Sequence, residues 1–316
     1  MKIVIVGPGA MGCLIAAYLC AKTKEEVWLF DKDAVRAQQL QNKGLIVEEA
    51  QESIRAKVRA TARSADIGIA DLAIICTKSY STDSACQQVR GIFGEKTLVL
   101  TLQNGIGNVQ ILSEYFKAGS ILCGVTNHGS TLLGTGHVRH AGRGETIIGR
   151  PDGKVTRELK DVQAIFNRAG FETKISKNID SVVWSKLIVN VGINALTALT
   201  NLQNGRLIEY DGTKEIMREA ISEAARIAKR KRIRLIYDDP IQKAETVCRA
   251  TAANIASMLQ DVMNHKRTEI EYINGAIVRL GKGLSIETPV NAVLTHLIRT
   301  IESSYDIQVA RAQANA

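Results

Sequence analysis

The stretch that most restricts how this chain can fold is KIVIVGPGAMG, at residues 2–12. A run rich in β-branched side chains passes straight into Gly7, Pro8, Gly9, Ala10, Met11 and Gly12, and an apolar segment from Cys13 to Cys20 follows. β-Branched residues suit the pleated backbone of a strand, and the unbroken apolar run suits a helix packed on it. The three glycines then have separate reasons. Gly7 allows the tight turn, Gly9 lets a ligand approach the backbone, and Gly12 lets helix and strand pack closely. The start of such a helix presents unpaired N–H groups and the positive end of its dipole, so the motif predicts a dinucleotide held by its pyrophosphate.

The alternation of strand and helix continues. Val27 to Phe30 reads as a second strand and ends in Asp31, an acidic residue where a ribose hydroxyl is expected. DLAIIC at 71–76 is a buried strand followed by Thr77, Lys78, Ser79 and Tyr80, then a helix to Val89. TLVLTL at 97–102 is another, ending in QNGIGN at 103–108. In doubly wound sheets the ligand lies beyond the carboxyl ends of the strands, which is where Lys78 and Asn104 stand. A solvated loop lysine and a turn-making Asn-Gly pair are the plainer readings of these two residues. Strand-like segments at Ile121–Thr126 and Glu145–Gly149 flank a polar, glycine-rich stretch, 127–144.

Beyond about Lys177 the pattern changes to helical stretches at 180–200, 211–232, 239–264, 266–282 and about 290–303. At 316 residues the chain exceeds the size at which one core usually stops growing. The expected fold is α/β: an amino-terminal Rossmann-type dinucleotide-binding domain, residues 1–176, followed by an all-helical carboxy-terminal domain, residues 177–316.

The first of those helices carries a conflict. VVWSKLIVNVGINALTALTN, at 182–201, reads as a helix built for burial, yet it places Lys186, Asn190 and Asn194 four residues apart. Each step of four turns only about 40° past a full turn, so the three side chains share one face over roughly 12 Å. An unpaired buried charge is costly, so the three either satisfy one another or face a polar cleft. They also interrupt the apolar run short of the roughly 18 residues that span a bilayer, and no membrane role is expected. The amino terminus lacks the layout of a signal peptide, which points to the cytoplasm.

Composition removes further classes. The six cysteines show no CxxC pair or repeated spacing, and the five histidines form no HExxH pair, so no metal is expected, although His137 and His140 are close. A net charge of +9 suits anionic small molecules as well as nucleic acid. The densest basic cluster, Lys229 to Arg234, falls at a helix end, where cations complement the dipole and are solvated. With 4% aromatic residues a base-stacking surface is not expected, and nucleic acid is set aside.

The motifs together resemble one family, the ketopantoate reductases (2-dehydropantoate 2-reductases), over nearly the whole chain. The pieces are GPGAMG at 7–12, CTKSY at 76–80, LQNGIGN at 102–108, WSKLIVNVGINALTALTNLQNG at 184–205, SMLQD at 257–261 and TEIEYINGAIV at 268–278. The resemblance implies an NAD(P)H-dependent reduction of ketopantoate to pantoate, serving pantothenate and coenzyme A synthesis. It makes Lys186 the general acid and places Asn190, Asn194, Asn204, Asn254 and Ser257 around the substrate, with Asn104 near both ligands. Lys78 and Glu269 would contact the cofactor or orient groups around it, and Gly129 would bring backbone near the nicotinamide half. Glu269 also reads simply as an acid complementing a helix start.

The residue types suit that chemistry. Hydride addition to C2 of a 2-oxo acid leaves an alkoxide that needs a proton, and burial lowers a lysine toward neutrality. The family implies NADPH, usually with an arginine or similar donor for the 2′-phosphate where this chain has Asp31. The carboxylate suits NADH, while Lys32 and Arg36 still offer cations to a phosphate. Two other readings stay open: a paralogue acting on another branched 2-oxo acid, and a non-catalytic NAD(P)H sensor that regulates a partner. Periodicity does not choose between monomer and homodimer.

Overall fold

The computed structural model describes residues 1–49 and 52–308. Its opening unit is β1 (Lys2–Val6), α1 (Ala10–Lys22) and β2 (Glu26–Phe30). Next come α2 (Ala34–Lys43), β3 (Leu45–Glu48), β4 (Ser53–Ala56), β5 (Arg59–Thr61) and β6 (Leu72–Ile75). They are followed by α3 (Thr82–Gln88), β7 (Leu98–Thr101), α4 (Asn108–Tyr115) and β8 (Ile121–Thr126). β9 (Gly129–Gly134), β10 (His137–Gly142), β11 (Thr146–Gly149), α5 (Arg157–Ala169) and β12 (Thr173–Ile175) complete the mixed part.

Among the described residues one sheet has the order β12-β11-β8-β7-β6-β1-β2-β5. It is parallel from β8 to β5, and β11 turns antiparallel against β8. Ile3 and Ile5 of β1 pack with Leu14, Leu19 and Phe166, while the alternate Val4 and Val6 pack with Ala85, Cys86 and Leu112. Both faces are therefore buried, which is why these strands read as continuous apolar runs.

The second sheet, β4-β3-β10-β9, corrects the reading of 127–144 as a polar connection. β9 and β10 pair antiparallel there, with register shifts between His137 and Val138 and between His140 and Gly142. Glycines at 129, 134, 136 and 142 hide the alternation, and of β10 only Val138 is fully buried. All four strands touch α1, which explains why that helix is buried from Gly12 to Leu19 rather than along one stripe. β3, β4, β5 and β12 are likewise absent from the sequence reading; each spans only three or four residues.

The chain divides into two compact units, Met1–Trp184 and the part from Ser185 onward. The division falls inside α6 (Ile179–Thr200). Its first turn joins the amino-terminal unit, where Ile179 and Val182 pack with Cys123 and Val125. By length and composition α6 is apolar enough to cross a membrane, contrary to the count made on the uninterrupted run, but 78% of its most apolar window is buried within the protein.

The second unit adds α7 (Asp211–Arg230), α8 (Pro240–Ala250), α9 (Ser257–Met263), α10 (Asn274–Leu284) and α11 (Pro289–Ser303). The single helix expected over 239–264 is broken at 251–256. There the carbonyls of Ala252 and Asn254 accept the backbone N–H groups of Gly205 and Asn204 at 3.1 Å each, so a tertiary pairing displaces the helical one. The helix expected from 266 begins at Asn274, after a 3₁₀ turn at Ile270–Tyr272.

Candidate active site

The glycine turn is shaped by contacts that a side chain would violate. Gly7 has φ +98°, and a Cβ there would lie 2.7 Å from Thr77 Cγ2 and 2.8 Å from Thr77 N. A Cβ on Gly12 would lie 2.2 Å from the carbonyl oxygen of Gly7. At Gly9 nothing stands within 4 Å of that position, so the space above the turn is open. α1 starts there with no side-chain cap and no acidic residue in its first turn, and Cys13 N–H to Gly9 C=O, at 2.9 Å, is its opening helical bond. The N–H groups ahead of Cys13 are those a helix leaves without internal partners. A diphosphate fits this cradle: it would occupy the space a Cβ at Gly9 would fill.

Asp31, at the end of β2, is 2% exposed and engaged. Arg36 donates to both its oxygens, from Nε to Oδ2 and from Nη2 to Oδ1 at 2.6 Å, and the N–H of Asp33 donates to Oδ1 at 3.1 Å. The carboxylate is thus neutralised by an arginine standing where the sequence left two possibilities open. Beside it a groove of about 530 Å³ is lined by Phe30, Lys32, Ala62, Arg63, Ser64, Ala65 and Gln88. Arg63 was not singled out from sequence, because β5, which delivers it, leaves only a three-residue trace.

Lys78 precedes a 3₁₀ turn at Ser79–Ser81, and Asn104 lies beyond β7. The two loops are tied together. Ser79 Oγ donates to the Asn104 carbonyl at 2.9 Å, Asn108 Nδ2 donates to Ser79 Oγ at 3.1 Å, and Gln103 Nε2 donates to the Thr77 carbonyl at 2.8 Å. Gly105 and Gly107, with φ +80° and +106°, make the bend that holds Asn104 there.

Gly129 opens β9 opposite Gly142. Its neighbour His128, 9% exposed, belongs to a buried polar chain: His128 Nδ1 lies 2.9 Å from His140 Nε2, and His140 Nδ1 lies 3.1 Å from Glu49 Oε1 and 3.0 Å from the Tyr18 hydroxyl. Burial, then the charges of His140 and Arg143, pull His128 down to about 4. His137, noted with His140 in the sequence, instead meets Glu48 at 2.9 Å.

In the helical unit Lys186, Asn190 and Asn194 lie along α6 as their spacing predicts. Desolvation lowers the Lys186 ammonium to about 8, with Glu269 pulling it back up. Glu269, 5% exposed, precedes the 3₁₀ turn rather than starting a helix. Asn204 and Asn254 are brought together: besides the backbone bond already noted, Asn204 Nδ2 donates to Thr251 Oγ1 at 2.9 Å. Asn204 Oδ1 is buried and has no protein partner among the described residues, an acceptor available to a ligand hydroxyl. Asn254 lies in the break before α9, not on a helix face with Ser257, which is the exposed first residue of α9.

A parallel sheet with an open glycine cradle, and a helical unit carrying a desolvated lysine beside a carboxylate and amides, define an oxidoreductase that uses a nicotinamide dinucleotide. Residues 3–153 match the family model "Ketopantoate reductase PanE/ApbA" and residues 178–302 match its C-terminal counterpart. The chain is 35% identical over 300 residues to the 2-dehydropantoate 2-reductase of Halobacterium salinarum, covering 95% of this chain and 98% of that one. With the Pyrococcus horikoshii enzyme of the same name it shares 36% over 304 residues, 96% and 98% of the two chains. Among solved structures it is similar to a PanE/ApbA family ketopantoate reductase from Ralstonia eutropha, with TM-score 0.88, 33% identity and coverage of 97% and 100%. It is also similar to D-mandelate dehydrogenase in complex with NADH and anilino(oxo)acetate, with TM-score 0.92, 29% identity and coverage of 97% and 100%. The chain belongs to the ketopantoate reductase family.

Proposed function

We propose that the chain reduces ketopantoate to pantoate in the cytoplasm, as the reductive step toward pantothenate, with Lys186 as general acid. The observation that carries this reading is the Lys186 ammonium, lowered to about 8 by desolvation on the helix face it shares with Asn190 and Asn194. At neutral pH it is still mostly protonated, yet it gives up its proton far more readily than a free lysine. The bound nicotinamide supplies the hydride to the substrate C2. Lys186 Nζ donates its proton to the oxygen on that carbon as negative charge develops there, and its ammonium stabilises that charge before the transfer. Asn190, Asn194, Asn204, Asn254 and Ser257 orient the hydroxyl and carboxylate of the substrate without adding charge. The part up to about residue 176 holds the dinucleotide through the 7–12 turn, Lys78, Asn104 and Gly129, and the part from 177 holds the substrate, with Glu269 setting the charge balance of Lys186.

NADPH is the preferred cofactor in this reading. Arg36 neutralises Asp31, and Lys32 and Arg63 line the adjacent groove, so the end of β2 favours a 2′-phosphate. The similarity to D-mandelate dehydrogenase bound to NADH supports the second reading, a reductase of another 2-oxo acid.

The test follows oxidation of NADPH and NADH separately with ketopantoate and a panel of 2-oxo acids. A preference for ketopantoate with NADPH is expected. A hundredfold higher kcat/KM for another acid would replace ketopantoate with that acid, and no oxidation with any acid would favour a sensor. Lys186→Ala should lower kcat by at least about a hundredfold.

A further inference from the structure

The apolar character of α6 leaves one property of Lys186 undetermined. From Val191 to Ala198 every residue is buried, so no exposed face marks the rotation of the helix about its axis. Burial alone therefore indexes its rotation weakly, and the close packing of Gly192, where a Cβ would lie 2.6 Å from Ile221 Cδ1, shares that task with directed hydrogen bonds. Side chains from beyond the helix donate into its backbone carbonyls. The Tyr237 hydroxyl donates to the carbonyl of Ser185, the residue before Lys186, at 2.7 Å, and Asn274 Nδ2 donates to the carbonyl of Val191 at 3.0 Å. The segment carrying Tyr237 adds a third bond, Ile236 N–H to Ser185 Oγ at 3.0 Å. Ser185 is 2% exposed, and burial pushes the Tyr237 phenol up, so it stays a donor throughout the working pH range.

We propose that Tyr237 is a positioning residue for the reaction: its hydroxyl, bonded to the Ser185 carbonyl, sets the rotation of α6 and hence where the Lys186 ammonium stands. The inference rests on Lys186 being the acid. Its lever arm is long. Cα atoms lie about 2.3 Å from a helix axis and an extended lysine reaches roughly 6 Å further, so a 10° rotation moves Nζ by about 1.4 Å. A misplacement of that size costs up to about a hundredfold in rate. The motifs shared with the family do not include Tyr237, which lies in the segment 231–239 between α7 and α8.

The experiment measures kcat, KM and the thermal midpoint for the wild type, Tyr237→Phe, Ser185→Ala and Lys186→Ala, with kcat followed from pH 6 to 10. Tyr237→Phe keeps the ring and removes only the grip. It should lower kcat about tenfold, change KM for the 2-oxo acid less than twofold, and move the alkaline fall in kcat to higher pH as the ammonium meets more water. Ser185→Ala, which keeps the carbonyl that Tyr237 grips and removes the acceptor of the Ile236 N–H, should shift both in the same direction and by less. A Tyr237→Phe enzyme that melts earlier but keeps its kcat and pH profile would overturn the proposal, and so would one with no change at all. If Tyr237→Phe does not fold, an unchanged profile in Ser185→Ala does the same. Near-normal turnover in Lys186→Ala would instead remove the acid itself, a failure separate from that of the positioning role.

Discussion

A lysine is a useful acid only when its environment brings it toward the working pH, and at Lys186 two opposed influences set that value: desolvation lowers it and Glu269 raises it. Because the acid must be protonated, kcat should fall as pH rises through about 8. Replacing Glu269 by glutamine removes the raising influence, so in Glu269→Gln that fall should begin at lower pH; a pH–rate profile unchanged from wild type would separate Glu269 from the acid. The pairing of Asp31 with Arg36 makes a second expectation. Arg36→Ala takes away a cation and leaves the carboxylate uncompensated, so kcat/KM with NADPH should drop by at least about tenfold relative to NADH. Parallel steady-state assays with the two cofactors check it, and an unchanged ratio would count against the phosphate site. Lys186, Asn190 and Asn194 were legible because helical spacing alone puts them on one face. The Asp31–Arg36 bond was only half legible: both residues are visible five apart, but the turn between β2 and α2 decides that the guanidinium folds back onto the carboxylate.

The glycine turn separates two functions that its sequence motif combines. Gly12→Ala would drive a Cβ against the Gly7 carbonyl, whereas Gly9→Ala meets no protein atom within 4 Å. Gly9→Ala should therefore melt like wild type, within the roughly 0.5 kcal/mol typical of surface changes, yet bind the reduced cofactor at least about tenfold more weakly because the methyl occupies the diphosphate cradle. Gly12→Ala should lower the melting temperature itself. Thermal scans with fluorescence titration of the cofactor distinguish the two, and equal destabilisation by both variants would contradict this division. The long apolar strands of the main sheet were readable because both faces are buried. β9 and β10 were not, since glycines and register shifts erase the two-residue period on which such a reading depends. The break between α8 and α9 was hidden for another reason: the sequence there permits a helix, and backbone donors from Asn204 and Gly205, some fifty residues away, take the carbonyls instead.

The stability of the protein should carry the signature of a histidine its fold keeps neutral. His128 is held at about 4, below the ordinary 6.5, chiefly by burial. Between those values the unfolded chain binds a proton that the folded chain refuses, so stability present above about pH 6.5 is lost as pH falls toward 4. Urea midpoints at pH 7 and pH 5 should show this loss, and His128→Gln should reduce it; an equal loss in the variant would assign it to other groups. No local pattern announces this chain of Tyr18, Glu49, His128 and His140, because its members come from α1, the end of β3, the β8–β9 connection and β10. The same division runs through the whole protein. Dinucleotide turn, strand–helix alternation, the change to an all-helical second part and the lysine–asparagine stripe follow from interactions between residues a few positions apart, and local periodicity and backbone sterics are written in the sequence. The second sheet over α1, the lowered ammonium of Lys186 and the grip of Tyr237 on α6 depend on which distant groups exclude water from one another. That is a property of packing in three dimensions, and neighbouring residues alone do not encode it.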